Sequence, residues 1–228
     1  MRYLLSIILF YALLYSSDTQ YVLGEKIYKD TCVSCHGVNG TAKTDMKLIV
    51  KPRALSKTIL TQEQSYQIIK KGTHYWGSSA DMMPAFESVY GEKELRSVAH
   101  YISKAFSKDV EKKIDELYAQ SEAIPEAKKS KMLKRGKKIY KRNCSWCHGV
   151  GAKGDGEATR NPELSIFPYD LTKTLLNEKQ MFLYTKYGGQ YWGTHKDDMP
   201  SWSRKYDDFT IKSVVKYIED TFRSGNGK

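Results

Sequence analysis

Past its first 15 residues the 228-residue chain has no apolar run approaching the roughly 20 residues that a membrane-spanning helix needs, which excludes a multipass membrane protein. Cysteine is scarce: Cys32, Cys35, Cys144 and Cys147 are the full set, too few for a disulfide-built scaffold. Acidic residues are outnumbered, 26 against 37 Lys plus Arg, which leaves a net charge of +11. Apolar residues make up only 40% of a length that suits one or two domains, a thin supply for two cores. Two small domains, each filled by a prosthetic group, fit that shortage. No segment alternates apolar and polar residues as a half-buried strand does, so the expected fold is all-α.

The N-terminus reads as an address. Arg2 precedes the apolar run Tyr3 to Tyr15, and polar SSDTQ follows at once, a length that suits a secretory segment better than a membrane span. Residues 1–17 are therefore expected to be a signal peptide. Their small-residue cleavage pattern is poor, which leaves a retained N-terminal anchor as the alternative. Both place the rest of the chain in the periplasm.

The chain contains one unit twice. GEKIYKDTCVSCHGV, Gly24 to Val38, aligns with GKKIYKRNCSWCHGV, Gly136 to Val150, at an offset of 112. After His148 the second copy carries four extra residues, and from there the offset is 116: Gly72–Pro84, GTHYWGSSADMMP, meets Gly188–Pro200, GGQYWGTHKDDMP. Repeats of this kind decide architecture before local patterns do. Each copy closes on a helical stripe, Leu95, Val98, Ala99, Ile102 and Phe106 in the first and Ile211, Val214, Val215, Ile218 and Phe222 in the second. The expected organisation is a first domain at 21–106, a linker with a helix at 107–130, and a second domain at 131–224.

Cys32-Val-Ser-Cys35-His36 and Cys144-Ser-Trp-Cys147-His148 both spell C-x-x-C-H, the attachment signature of a c-type haem. Two thiols one helical turn apart reach the two vinyl groups on one porphyrin edge, and the following histidine reaches the iron. A zinc site would need both cysteine pairs brought together, and a thioredoxin-like redox pair requires no adjacent histidine. The sixth iron ligand should repeat as well. Met83 and Met199, each followed by proline, lie 47 and 51 residues after their histidines, and a methionine thioether is a usual second ligand in cytochromes c. Met82 is the rival to Met83; the repeat favours Met83. His74, His100 and His195 face Gln190, Lys216 and Ser79 in the other copy and are expected at the surface or core edge.

Weaker shared features accompany these. Tyr75-Trp76 and Tyr191-Trp192 are either packed on a haem edge, donating to its propionates, or plain core. Pro52 and Pro168 would place a carbonyl on the ring N–H of the axial histidine. Gly149, Gly151 and Gly154 spell G-x-G-x-x-G but follow no strand, so a loop is expected there, not a dinucleotide site.

On these motifs the chain resembles the dihaem class I cytochromes c, cytochrome c4-like tandem cytochrome c domains, and the dihaem subunits that relay electrons around periplasmic oxidases and dehydrogenases. The resemblance implies two covalently bound haem c groups, with attachment through Cys32, Cys35, Cys144 and Cys147 and axial ligation by His36, Met83, His148 and Met199. It also implies that the terminal helices of each domain cross at a small residue, Gly24 with Tyr28 against Val98 and Tyr101, and Gly136 with Tyr140 against Val214 and Tyr217.

The function expected is single-electron transfer between periplasmic or membrane-bound respiratory redox partners, with no catalytic residues. The alternative is a dihaem enzyme, a peroxidase or thiosulfate-oxidising type, with one open iron; a haem sensor has no signalling segment to act through. Lys128–Arg142 holds nine basic residues and no acidic one immediately before the second C-x-x-C-H. Such a run is either a solvated helix face or a patch that steers a redox protein with an acidic surface. No nucleic-acid partner is expected, and contact with the membrane would come only through an uncleaved N-terminal anchor.

Overall fold

The structure is a computed structural model that describes residues 19–47, 51–78, 83–161, 167–194 and 199–223. The signal or anchor segment, Met82 and His195 lie outside the described residues. Among those described there is no strand, and the fold is all-α as expected.

The first half opens with α1 (residues 19–27), which runs through a wider helical turn, Tyr28–Cys32, into α2 (Val33–His36). It continues with α3 (Gln62–Tyr75) and α4 (Glu92–Ala105). The connecting segment forms α5 (Val110–Ala119) and the single turn α6 (Glu126–Lys129). The second half repeats the plan, with α7 (Met132–Ile139) passing through Tyr140–Cys144 into α8 (Ser145–His148), then α9 (Glu178–Tyr187) and α10 (Asp208–Ile218).

The anticipated stripes are the core of each half. Leu95, Val98, Ala99 and Ile102 are buried on α4, and Ile211, Val214, Val215 and Ile218 on α10. The first helix of each half crosses its last at glycine. A Cβ on Gly24 would lie 2.0 Å from the Ser97 carbonyl oxygen, and one on Gly136 2.0 Å from that of Ser213, so no larger residue permits this approach. The backbone met is thus Ser97 and Ser213, one residue before the expected Val98 and Val214. Beside each crossing Tyr28 packs on Tyr101 and Phe106, at ring separations of 5.3 and 5.0 Å, and Tyr140 on Tyr217 and Phe222, at 5.6 and 5.4 Å.

The segment read as a linker is built into the second core. Val110 and Ile114 of α5 are buried in that cluster, with Leu117 and Tyr118 packed against it. Lys212 of α10, itself buried, donates to the Glu122 carbonyl at 2.7 Å and fixes the end of this segment.

The halves join through bonds that obey the repeat. Gln64 Nε2 donates to Leu175 O and Gln180 Nε2 to Ile59 O, both at 2.7 Å. Ala54 N donates to Gly193 O at 2.9 Å and Asp170 N to Gly77 O at 2.7 Å. In each pair, adding 116 to the first-half residue of one bond and subtracting 116 from its second-half residue gives the other bond, with donor and acceptor exchanged between halves. That is the self-complementary pattern of a twofold interface, formed here within one chain.

Candidate functional site

Each C-x-x-C-H motif sits where two helical segments meet. Cys32 ends the wide turn after α1 and Cys35 and His36 lie on α2; Cys144 ends the matching turn and Cys147 and His148 lie on α8. The same two tyrosines brace both motifs. Tyr28 donates its hydroxyl to Gly37 O at 2.6 Å and Tyr140 to Gly149 O at 2.8 Å, which ties each motif's exit to the helix crossing.

Both histidines have their Nδ1 held by a backbone carbonyl, His36 on Arg53 O at 3.3 Å and His148 on Tyr169 O at 3.1 Å. With Nδ1 as donor, Nε2 keeps its lone pair for a metal. The carbonyl comes from the residue after the proline in each copy, which corrects the assignment to Pro52 and Pro168. Burial pushes both histidines below their ordinary pKa, and the carbonyl bond opposes this; the neutral, ligating form is favoured.

None of the four cysteines is in a disulfide, and all are half-buried. Burial, with the neighbouring cysteine second, pushes the Cys32 thiol up to about 11 and the Cys144 thiol up to about 12; burial also raises Cys147. A redox C-x-x-C depends on a lowered thiol pKa, and the shifts at Cys32, Cys144 and Cys147 run the opposite way. Among the described residues no three His, Cys, Asp or Glu side chains converge on a metal-sized site.

The methionines are positioned by glycines. Gly72 interrupts α3 at φ 74° and Gly188 ends α9 at φ 79°, a positive-φ conformation that favours glycine. A Cβ would lie 2.8 Å from the Met83 carbonyl oxygen at Gly72, and 2.9 Å from that of Met199 at Gly188. The next amide then grips the loop, Thr73 N to Met83 O at 3.0 Å and Gly189 N to Met199 O at 2.7 Å. Met83 packs on the first core cluster, as does Cys32.

The donor set therefore fits a haem c in each half: a thiol pair and a histidine on one helical turn, an imidazole with Nε2 left for iron, and a methionine on a clamped loop. In the second half Trp202 Nε1 is buried without a hydrogen-bond partner among the described residues, and Trp202 and Cys144 line the same small cavity. An unused buried donor beside an attachment cysteine is what a polar cofactor would satisfy.

Other candidates resolve differently. The Trp76 and Trp192 indoles donate to Gln67 O and Leu183 O at 3.1 and 3.3 Å, so these N–H groups are committed to backbone. Tyr75 and Tyr191 are exposed. His74 is exposed, and His100 reaches Gln62 Oε1 at 3.3 Å from the core edge. Gly149–Gly154 is a loop following α8, with Gly154 N donating to His148 O at 2.9 Å. Sequence reasoning missed Gln64, Gln180 and Trp202. The glutamines had a visible signal, since both stand three residues after a helix-capping residue, Thr61 and Asn177, in both copies.

Residues 20–102 match the family described as cytochrome c oxidase, cbb3-type, subunit III, and residues 133–222 match the cytochrome c family. The chain is 25% identical over 213 residues to the cbb3-type cytochrome c oxidase subunit CcoP of Azospirillum brasilense, covering 90% of this chain and 62% of that protein. It is equally 25% identical over 213 residues to the subunit FixP of Bradyrhizobium diazoefficiens, covering 90% and 61%. The chain thus spans about three fifths of the length of these curated relatives. Among solved structures, a chain of the reducing HAO-like protein complex of Kuenenia stuttgartiensis matches at 22% identity and TM-score 0.44, covering 87% of this chain and 94% of that one. With both halves matched to cytochrome c families and each bearing its own cysteine pair and histidine, the chain belongs to the dihaem class I cytochromes c, two cytochrome c domains in tandem with two covalently bound haem c groups.

Proposed function

We propose that the protein is a one-electron relay whose two irons are both closed, His36 with Met83 in the first domain and His148 with Met199 in the second, with thioether attachment through Cys32, Cys35, Cys144 and Cys147. Haem c supplies a ferrous–ferric couple whose potential a methionine ligand raises. The residues do the rest: Arg53 O and Tyr169 O orient the imidazoles, and Gly72 and Gly188 fix the loops that carry the thioethers.

The observation that carries this reading is the duplicated methionine clamp. Its amide-to-carbonyl bonds, 3.0 Å at Met83 and 2.7 Å at Met199, stand at matching positions of the repeat. An iron meant to bind substrate has no use for a second protein ligand held this firmly, and two such clamps favour two relay centres over one relay and one catalytic centre. The cbb3 oxidase subunits among its relatives support a place beside periplasmic respiratory redox proteins, with the domains exported by the N-terminal segment.

Optical spectra of the haem-loaded protein, oxidised and reduced, with and without carbon monoxide, test this. The expected result is the weak long-wavelength ferric band of His/Met ligation at an intensity for two haems, and no response of the ferrous form to carbon monoxide. Carbon monoxide binding to half the haem would overturn it in favour of a dihaem enzyme with one open iron.

A further inference from the structure

The pseudo-twofold chain is not symmetric in charge. In the first domain the turn leading to the haem motif carries Glu25, Lys26, Lys29 and Asp30, and Lys29 is paired with Glu25 at 2.9 Å. The matching positions in the second domain are Lys137, Lys138, Lys141 and Arg142, all exposed and without an ion pair among the described residues. A neutral set has become a set of four positive charges. Because Met132, Gly136 and Ile139 take the buried face of α7, the cations fall on successive turns of the open face. Like charges one helical turn apart repel, so the fold itself gains nothing from this arrangement.

The second asymmetry lies between the attachment cysteines. The first motif has exposed Ser34 there, whereas the second has Trp146, 53% exposed. Trp146 lies in a surface groove of about 580 Å³ together with Lys141, Arg142, Arg160 and Val150, the last 77% exposed. Asp155 and Glu157 also line it, and Arg160 pairs with Glu157 at 3.3 Å. A large aromatic left in water beside unpaired cations is the composition of a protein-binding surface, with an apolar anchor inside a charged rim.

We infer that the second domain is the docking domain of this relay: the Trp146 groove and the α7 cation ridge receive an acidic one-electron protein, and electrons pass between that partner and the second haem. The inference rests on the relay reading above and assigns its entry point. Trp146 is bonded through one residue to Cys144 and directly to Cys147, so a partner seated on it reaches the attachment edge. The exchange moves one electron and no atom, the partner's centre changing by one oxidation level as the second iron changes by one in the opposite sense. The first domain then faces the other redox partner.

The test uses the haem-loaded protein with flavodoxin as an acidic one-electron probe. In titrations with oxidised flavodoxin, the indole N–H resonance of Trp146 should shift while that of buried Trp192 does not. In flash-photolysis reduction by flavodoxin, Lys141→Glu/Arg142→Glu should slow electron entry about tenfold at low salt and flatten the salt dependence. Trp146→Ser should slow entry without changing the salt slope. Lys26→Glu/Lys29→Glu, on the first domain, should leave the rate within about twofold. The inference is overturned if the first-domain variant slows entry as much as the second-domain one, if Trp146 does not respond, or if anionic phosphatidylglycerol vesicles shift Trp146 where flavodoxin does not. A wild-type protein that takes no electron from the probe, or binds carbon monoxide, sinks the relay reading instead, so the two failures are told apart.

Discussion

Gln64 and Gln180 exchange side-chain hydrogen bonds across the two domains, Gln64 Nε2 to Gln180 Oε1 at 2.8 Å and Gln180 Nε2 to Gln64 Oε1 at 2.7 Å. Each amide is also spent twice more, its oxygen accepting from the capping residue of its own helix and its nitrogen reaching a carbonyl of the other half. A glutamine offers two donors and an acceptor with two lone pairs, so both side chains are fully used. The contact that starts a helix is thus the contact that fixes one domain on the other.

Removing either partner should therefore be costly. Gln180 is fully buried, and Gln180→Leu strips partners from Ile59 O, Asn177 N and the Gln64 amide. A loss of about 1–3 kcal/mol is expected from the polar groups left unpaired. Denaturant unfolding of Gln180→Leu, Gln64→Ala and the double variant checks this, with the double variant losing clearly less than the sum. Strict additivity would mean that the two side chains do not cooperate.

The helix crossings give a second expectation. A methyl group at Gly24 or Gly136 would fall 2.0 Å from a backbone oxygen, so Gly24→Ala and Gly136→Ala must push the crossing helices apart. Overpacking of this kind costs about 1–3 kcal/mol. Thermal unfolding should show a comparable loss for both variants, because the two crossings share one geometry. A wild-type melting temperature would refute the contact.

An acid-sensitive contact lies in the first domain. The Glu92 carboxyl is held down at about 2 against its usual 4.5, chiefly by the hydrogen bond from Tyr66, then by Lys70. A carboxyl with a lowered folded-state pKa stabilises fully above its ordinary value and loses this as pH falls through the folded one. Glu92→Gln should thus melt below wild type at neutral pH, with the gap shrinking from pH 4.5 and closing near pH 2. A gap independent of pH would point to lost shape in place of lost charge.

Much of this protein was legible in its sequence, because duplication supplies an internal comparison. The offsets of 112 and 116 matched the cysteine pairs, the histidines and the Met-Pro loops, and the apolar stripes of α4 and α10 are the buried ones. What escaped were relations that depend on how backbones meet. The carbonyl on each histidine ring belongs to Arg53 and Tyr169, one residue past the proline, since proline fixes its own φ but not which carbonyl turns inward. The segment at 107–130 read as a linker with a helix because it lies between the two copies of the repeat. Only the fold reveals that Val110 and Ile114 complete the second core. The glutamine bridge escaped because a capping glutamine has the same signature whether its amide faces water or another domain.

The clamp on each methionine yields the most local test of the proposed ligation. Alanine at Gly72 or Gly188 would have to hold φ 74° with ψ 165° or φ 79° with ψ 166°, a region essentially confined to glycine that costs about 1–3 kcal/mol, and its methyl group would press on the Met83 or Met199 carbonyl. Two adjustments relieve the clash: the helix end shifts, or the loop does. The helix end is backed by buried residues, Ile69 in the first domain and Phe182 and Leu183 in the second, whereas Met83 and Met199 are half-buried and the residues that follow them, Pro84, Ala85, Pro200 and Ser201, are exposed. The loop should give way. Gly72→Ala is then expected to release Met83 alone, so that ferrous carbon monoxide titration saturates at one ligand per two haems, with half the long-wavelength ferric band lost. Gly188→Ala should do the same through Met199, and the double variant should bind two. Met83→Leu and Met199→Leu provide the reference for an iron with no thioether at all. If the glycine variants keep their full ferric band while the leucine variants lose it, the loops are held by something other than these glycines. If the leucine variants keep it too, the iron ligands are not these methionines.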